Sequence, residues 1–424
     1  MLYFFFFLLI FYYFKNSYYS FVRTEFTFIY MLAFYSLIFM VSSYNFISLF
    51  LSLELFSISV LVLISSFFTN KGIIKNSLKY FIVNAVASIF ILLAITLFYG
   101  LFGTFSLKTI SSLLLFSIND IPNKLLYFNT VLALFFFYLG LFIKLGLAPF
   151  HLWVFDVYEN IPYHIFLFLL ISSKFSFFFL IFYYTVYIFF SFNIFFKFFF
   201  SLISILTLLI ISISSMSQMN IKKLLLSFSL FSGGTLIFSL IPLNFFAFSN
   251  FFHYLILDSF IFLCFLLYIG FLFNTNYKKY ALSQKKFNLF TINDFYLISN
   301  YSKFYLLIFV LILSGLPPFF IFFLKFNILQ SYLLENFSFF YIIFFLFSSM
   351  VISYNYLRII KIAFFFNKDQ LNIFNNYNWV PITYNFYINS SFLLFIFNFL
   401  FLFFIFYMFF FEYLNILIFY VFFY

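Results

Sequence analysis

Charge is scarce in this sequence: Asp, Glu, Lys and Arg together supply 7% of its 424 residues, whereas 67% are hydrophobic and Phe alone fills 92 positions. No water-soluble domain of this size carries such a composition on its surface, so a soluble enzyme or binding module is excluded and an integral membrane protein is implied. Cysteine is equally scarce, with Cys264 standing alone in an apolar run. That excludes a disulfide framework and a cysteine metal site, and no redox cofactor is expected on this chain. The opening "MLYFFFFLLIFYYF" lacks the basic stretch and small-residue cleavage site of a signal peptide, so it is expected to begin a first helix. No transit peptide, phosphate loop, dinucleotide fingerprint, nucleophile triad or metal-ligand spacing is visible. The net charge is +11. Its basic residues are scattered instead of gathered on a polar face, so no nucleic-acid partner is expected.

Apolar runs of about 20 residues follow one another with few polar breaks, the length of a membrane-spanning helix and twice that of a barrel strand. The expected fold is all-α, a polytopic membrane helix bundle of about eleven or twelve transmembrane helices with two broken helices. Spans are expected near 1–22, 24–45, 46–68, 78–103, 127–149, 162–190, 198–216, 223–242, 245–273, 303–329, 336–363 and 388–411. The whole of 1–424 is expected to be one integral membrane domain, with a core over 46–363, a polar loop at 274–303 and a C-terminal helix in 388–424. The segment 104–126 is short and polar at its ends, which suits an interfacial or re-entrant piece. Lys and Arg gather in the odd-numbered connections, such as Lys71, Lys75 and Lys79, whereas the even-numbered ones hold only Lys108, Lys124 and Lys197. By the positive-inside rule the odd connections face the cytoplasm or matrix.

Four ionisable residues fall inside the apolar spans: Glu54 in "SLFLSLELFSISVLVL", Lys144 near the end of "VLALFFFYLGLFIKLGLAPF", Lys174 in "FLFLLISSKFSFFFLIF" and Lys325 in "SGLPPFFIFFLKFNIL". A charge at the bilayer centre costs ~2.5–3.5 kcal/mol, so each is expected to face protein, water or a partner. The bland alternative is a lysine snorkelling to the headgroups, but three lysines away from span ends weigh against it. Helix breakers accompany two of them: Gly146 and Pro149 follow Lys144, and Gly315, Pro317 and Pro318 precede Lys325. A break frees backbone groups that lipid cannot satisfy, so breaks belong in the protein interior beside polar groups, where transporters build ion paths. An approach of Glu54 to Lys144 would make a titratable site whose proton occupancy a neighbouring charge can switch. His253 and Asp258 extend this polar axis or form a local satisfied pair. His151 and Asp156 are expected to anchor a loop more than to carry protons, and Arg358, Lys361 and Glu412 to be interface residues.

Several segments carry a resemblance. "SLELFSIS", "NSLKYFIVNAVASIFILLAITLFYGLFGT", "KLGLAPFHLWVFDVYENIP", "IKKLLLSFSLFSGGT", "SGLPPFFIFFLKF" and "YNYLRIIKI" stand in the order found in the antiporter-like subunits of complex I, the proton-pumping NADH:ubiquinone oxidoreductase. Within that family the chain most resembles the subunit 2 branch of mitochondria, over about 46–363. The resemblance implies that Glu54 is the half-channel carboxylate, Lys144 its partner, Lys174 the central relay and Lys325 the exit-side lysine. It further implies partners among the other membrane-arm subunits, neighbouring antiporter-like ones included, with lipids around them. FMN, iron–sulfur clusters and ubiquinone are then expected in other subunits. The implied location is the mitochondrial inner membrane, and the Phe-rich composition suits a gene in the organelle's own T-rich genome. Glu54 comes early, as if helices present in bacterial relatives were absent. Two departures stand out: Ser232 occupies a segment where relatives often carry His, and "NIPYH" replaces the usual turn, leaving His164 unexplained. The runner-up is a subunit of a cation/proton antiporter, which would exchange ions without NADH or quinone. A purely structural membrane subunit is the third reading, and it predicts mild effects from replacing Lys144, Lys174 and Lys325.

Overall fold

The computed structural model describes residues 24–65, 71–120, 124–280, 292, 295, 300–317, 319–335, 337 and 339–365. The helices expected over 1–22 and 388–411, most of the loop expected at 274–303, and Pro318 lie outside the described residues. Among the described residues the chain is nearly all helical, as its apolar runs require: a helix satisfies every backbone group within itself, and that is what lipid demands. Among the described residues, eight helices are long and apolar enough to cross a membrane, and three shorter apolar ones accompany them. Buried hydroxyls inside these helices return to the backbone one turn back, as Ser52 does to the Leu49 carbonyl and Ser59 to that of Phe56.

Two compact units divide the chain, one of residues 1–207 and 229–243, the other of 208–228 and 244–424. The first contains α1 (Thr24–Val41), α2 (Phe46–Ser65), α3 (Lys71–Phe102), α4 (Leu107–Asp120), α5 (Lys124–Leu145), α6 (Leu152–Glu159) and α7 (Tyr163–Ile188). It also takes the first part of α8 (Asn193–Ser217) and the second part of α9 (Ile221–Leu240). Helix α1 lies along α2, and α3 packs most extensively on α5. Gly140 permits that second pairing, because a Cβ there would meet the Ile91 side chain at 2.5 Å and the Ala87 carbonyl at 2.9 Å. The turn between α1 and α2 is tied to the start of α4 by a small antiparallel bridge, Phe46 donating to Phe105 O and Leu107 to Tyr44 O. Above it Phe46 stacks on Phe98 and Phe98 on Phe189. Helix α4, 14 residues long, is too short to span, in keeping with the segment expected at 104–126.

The second unit contains α10 (Phe245–Tyr280), α11 (Asn300–Ser314), α12 (Phe320–Leu334) and α13 (Phe339–Phe365). Helix α10 packs on α12, and α11 on α13. Helix α13 is also fastened to the end of α8: Asn355 donates to Ser215 Oγ at 2.6 Å, and the Arg358 guanidinium donates to Met216 O at 2.6 Å. That places a cation on carbonyls at a helix C-terminus, where the macrodipole favours it.

Three boundaries correct the sequence reading. The span expected at 303–329 is two helices, because Gly315 takes a left-handed φ of 71° and Pro317 follows it. Helix α5 stops at Leu145 instead of continuing to 149, for the same reason at Gly146, φ 68°. Residues 274–280, expected as loop, continue α10, since "NTNYKKY" is polar but holds no Gly or Pro to stop a helix.

Candidate functional site

In the first unit the site is built on the end of α5. Gly146 donates to Ile143 O at 3.1 Å and Leu147 to Phe142 O at 3.2 Å, the paired bonds that close a helix over a left-handed glycine. No other residue fits there, since a Cβ on Gly146 would lie 2.0 Å from Val154 Cγ2. Lys144 therefore stands in the last turn of α5, next to unpaired carbonyls that favour a cation. Its ammonium donates to Glu54 Oε1 of α2 at 3.0 Å, with the lysine side chain 3% exposed and the carboxylate's 29%. Ser57, a turn beyond Glu54, lies 2.8 Å from the Glu54 carbonyl and 3.3 Å from Oε2, and its single proton serves one of the two at a time. The pair named from sequence is in contact.

The chain after Gly146 is held against α3. Trp153 of α6 lies beside Tyr80, ring centroids 5.9 Å apart, and the Asn76 amide donates to the Asp156 carbonyl at 2.7 Å. Lys79 pairs with Asp156 Oδ2 at 2.6 Å at the exposed edge. Asp156 thus ties α6 to α3, and His151 is buried at the head of the same segment. Burial holds the His151 imidazole below its ordinary range, an effect the Pro149 carbonyl partly offsets. The charge of Glu54 also reaches Tyr80, whose hydroxyl lies beside Asn84.

Lys174 opens the second half of α7, directly after a wider π-type turn at Leu169–Ser173. Such turns are common at functional positions because they leave side chains out of the regular register. The lysine is buried and donates to Ser232 Oγ of α9 at 2.5 Å. Ser232 gives its own proton to Ser229 O at 3.0 Å, so a lone pair remains for the ammonium. Next to it, a Cβ on Gly233 would fall 3.1 Å from Phe178 and 3.3 Å from Leu147, which brings this contact up to the residue that follows the α5 break. Ser232, which the sequence marked only as a departure, is the hydroxyl that meets Lys174.

In the second unit Lys325 of α12 donates to Ser314 O at 3.2 Å, a carbonyl left free where α11 ends. Gly315 is again required: a Cβ there would sit 2.7 Å from the Lys325 nitrogen. Asp258, buried on α10, bears on Lys325 through its charge, and His253 lies buried five residues earlier on that helix. The Asn250 amide donates to Asn327 O at 3.0 Å and fixes α10 against α12 just past Lys325. Sequence reasoning missed Asn76, Asn250 and the Ser314 carbonyl. An Asn inside an apolar span was the available signal for Asn250; Asn76, in the polar run "NKGIIKNSLK", and a backbone carbonyl leave none.

These features define a polytopic membrane protein in which Lys144 ends a helix at a glycine break, Lys174 follows a π-type turn and Lys325 reaches the break after Ser314. Residues 43–353 match the family described as NADH:quinone oxidoreductase/Mrp antiporter, transmembrane. The chain belongs to that family. Among curated relatives, NADH-quinone oxidoreductase subunit N of Ruthia magnifica is 28% identical over 358 residues, covering 83% of this chain and 70% of the relative. Subunit N of Thioalkalivibrio sulfidiphilus is 36% identical over 135 residues, 32% of this chain. The chain spans only 27% of that second relative's length. Among solved structures, a chain of respiratory complex I from Thermus thermophilus with bound aureothin superposes with a TM-score of 0.60 at 22% identity, over 81% of this chain and 71% of that one. At that identity the likeness concerns the fold.

Proposed function

We propose that this chain is a proton-translocating membrane-arm subunit of respiratory complex I, and that it corresponds to subunit 2 of the mitochondrial enzyme. The observation that carries the reading is the Lys144–Glu54 contact at 3.0 Å, a lysine buried at a helix break and bonded to a carboxylate of another span. In a medium of low dielectric such a pair is strongly coupled, and removing either charge leaves the other exposed to a large desolvation penalty. The proton occupancy of Lys144 therefore responds to any shift of the α5 break against α2, or to charge arriving nearby. In this account Glu54 exchanges protons with one aqueous face, Lys144 and Lys174 pass them on, and Lys325 with Asp258 forms a further station. His151 and Asp156 position the segment after the break; His253 belongs to the polar surroundings of Asp258.

Electron transfer from NADH to quinone belongs, in this reading, to other subunits, with flavin and iron–sulfur clusters there. Energy reaches this chain as a conformational or electrostatic change among its charges. The partners are other membrane-arm subunits, antiporter-like ones among them, and lipids. The relatives named above are bacterial; the mitochondrial inner membrane and an organellar gene rest on the Phe-rich composition and on the "DVYE" segment after "PFHLW". A cation/proton antiporter subunit is the second reading, favoured by the Mrp antiporters within the matching family. Purification of the native assembly, with mass spectrometry of its companions and an inhibitor-sensitive NADH:quinone assay, separates the two. Flavin and iron–sulfur subunits are expected beside this chain. Antiporter chains alone, with ion-driven exchange in vesicles, would replace the first reading by the second.

A further inference from the structure

The turn between α8 and α9, residues 218–220, lies outside the two membrane-crossing stretches it joins, Phe190–Ser217 and Ile221–Leu240. Met219, at its centre, is 53% exposed. Its backbone carbonyl accepts the Ile292 amide at 3.0 Å, and its sulfur accepts Nη2 of Arg358 at 2.9 Å. The other arm of the same guanidinium, Nη1, donates to Met216 O at 2.6 Å. One arginine of α13 therefore clasps the end of α8 by a carbonyl and the turn after it by a thioether, all within the second unit. A thioether is a weak acceptor, so the sulfur is the arm that gives way first. Exposure alone does not single it out: Met350 is 65% exposed, but it stands inside the membrane-crossing stretch Phe339–Phe365, where a water-borne oxidant does not collect. Met219 joins an exposed thioether to a charged partner outside the spans.

We infer that Met219 is a reversible oxidation site, at which a peroxide converts the thioether to a sulfoxide and so opens one arm of the Arg358 clasp. Thioether sulfur carries two lone pairs, and Nη2 occupies one of them. The other attacks one oxygen of the peroxide; the O–O bond breaks, and the departing oxygen takes the proton of the attacked one and leaves as water, or as an alcohol from an organic peroxide. Sulfur has given up two electrons and the peroxide has accepted them. The new oxygen stands on the side away from the guanidinium, and because the two lone pairs are not equivalent here, one sulfoxide epimer forms in preference to the other. In the product sulfur is partly positive, so its remaining lone pair no longer attracts a guanidinium; the Met216 carbonyl keeps the other arm. Stereospecific sulfoxide reductases restore the thioether. The inference goes beyond the proposed function and stands without it.

The test is exposure of the native assembly to dilute hydrogen peroxide, followed by digestion and mass spectrometry, with the Met219 peptide divided between the two reductases that each accept one sulfoxide epimer. Met219 is expected to oxidise several-fold faster than Met350, with one epimer in several-fold excess. A rate no higher than at Met350 would overturn the site, and equal epimers would overturn the clasp at the sulfur. Arg358→Gln is expected to bring the epimers of Met219 close to equality; an excess that survives it would show that the guanidinium does not shield the sulfur. Where that variant fails to assemble, hydrogen exchange on the unaltered assembly decides. The amides of 218–220 and Ile292 are expected to exchange several-fold faster after oxidation and to return to their first rate after reductase treatment. Exchange unchanged by oxidation would overturn the opening of the clasp.

Discussion

Gly146 holds a left-handed backbone with no room for a side chain, and Lys144 can stand at the end of α5 because of it. Gly146→Ala should cost at least ~1–2 kcal/mol for the backbone alone, with the Val154 clash added. Gly100→Ala, in an open helical position, should be neutral or slightly stabilising; the thermal midpoints of the assembled protein compare the two. For the ion pair, Lys144→Met should destabilise by about 3 kcal/mol because Glu54 loses its partner. Adding Glu54→Gln should recover much of that loss in a double-mutant cycle, and simple additivity would deny the coupling. His151 gives a pH dependence. Its folded pKa is lowered, so its contribution to stability is complete above the unfolded value of about 6.5 and is lost as pH falls below it. His151→Gln should flatten the stability profile on the acid side, as read from melting curves at successive pH values. Glu54 and the lysines were legible in the sequence because a charge in an apolar run is conspicuous. Ser232 was not, since serine is common in these helices and only folding sets one of them against Lys174.

At the scale of elements, α6 is a helix of only eight residues, Leu152–Glu159, packed and hydrogen-bonded against α3. The exposed Lys79–Asp156 pair should contribute no more than ~1 kcal/mol, as surface pairs do. Asn76, 6% exposed and bonded to the Asp156 carbonyl, should matter more, because removing it strands a buried acceptor. Asn76→Ala is therefore expected to raise proteolytic nicking or hydrogen exchange of 147–159 beyond the effect of Lys79→Ala; the reverse order would show that the ion pair is the tether. Helix existence was readable from run length, but ends were not where polar residues continue a helix, as in "NTNYKKY". The "SGLPP" motif announced a break yet gave no way to tell a kink from two separate helices. The φ of Gly315, with Lys325 lodged against it, decides for separation.

At the scale of the whole molecule, residues 43–353 place the chain in a family that joins NADH:quinone oxidoreductase subunits and Mrp antiporters, and the buried charges lie inside that stretch. Composition alone announced a membrane protein, and the order of motifs announced the family. Neither could reveal the partners each lysine takes: a carboxylate for Lys144, a hydroxyl for Lys174, a backbone carbonyl and the field of Asp258 for Lys325. Under the proposed function, lysines with such different partners suit stations that hold a proton with different strength, whereas lysines that merely reached for headgroups would need no protein partners. The central claim is that Lys144 carries the coupling, and it is tested by Lys144→Ala in the assembled complex, with proton translocation and quinone reduction measured beside NADH oxidation by an artificial acceptor. The account predicts a several-fold loss of the first two with the third intact. Undiminished proton translocation in a fully assembled variant would contradict it.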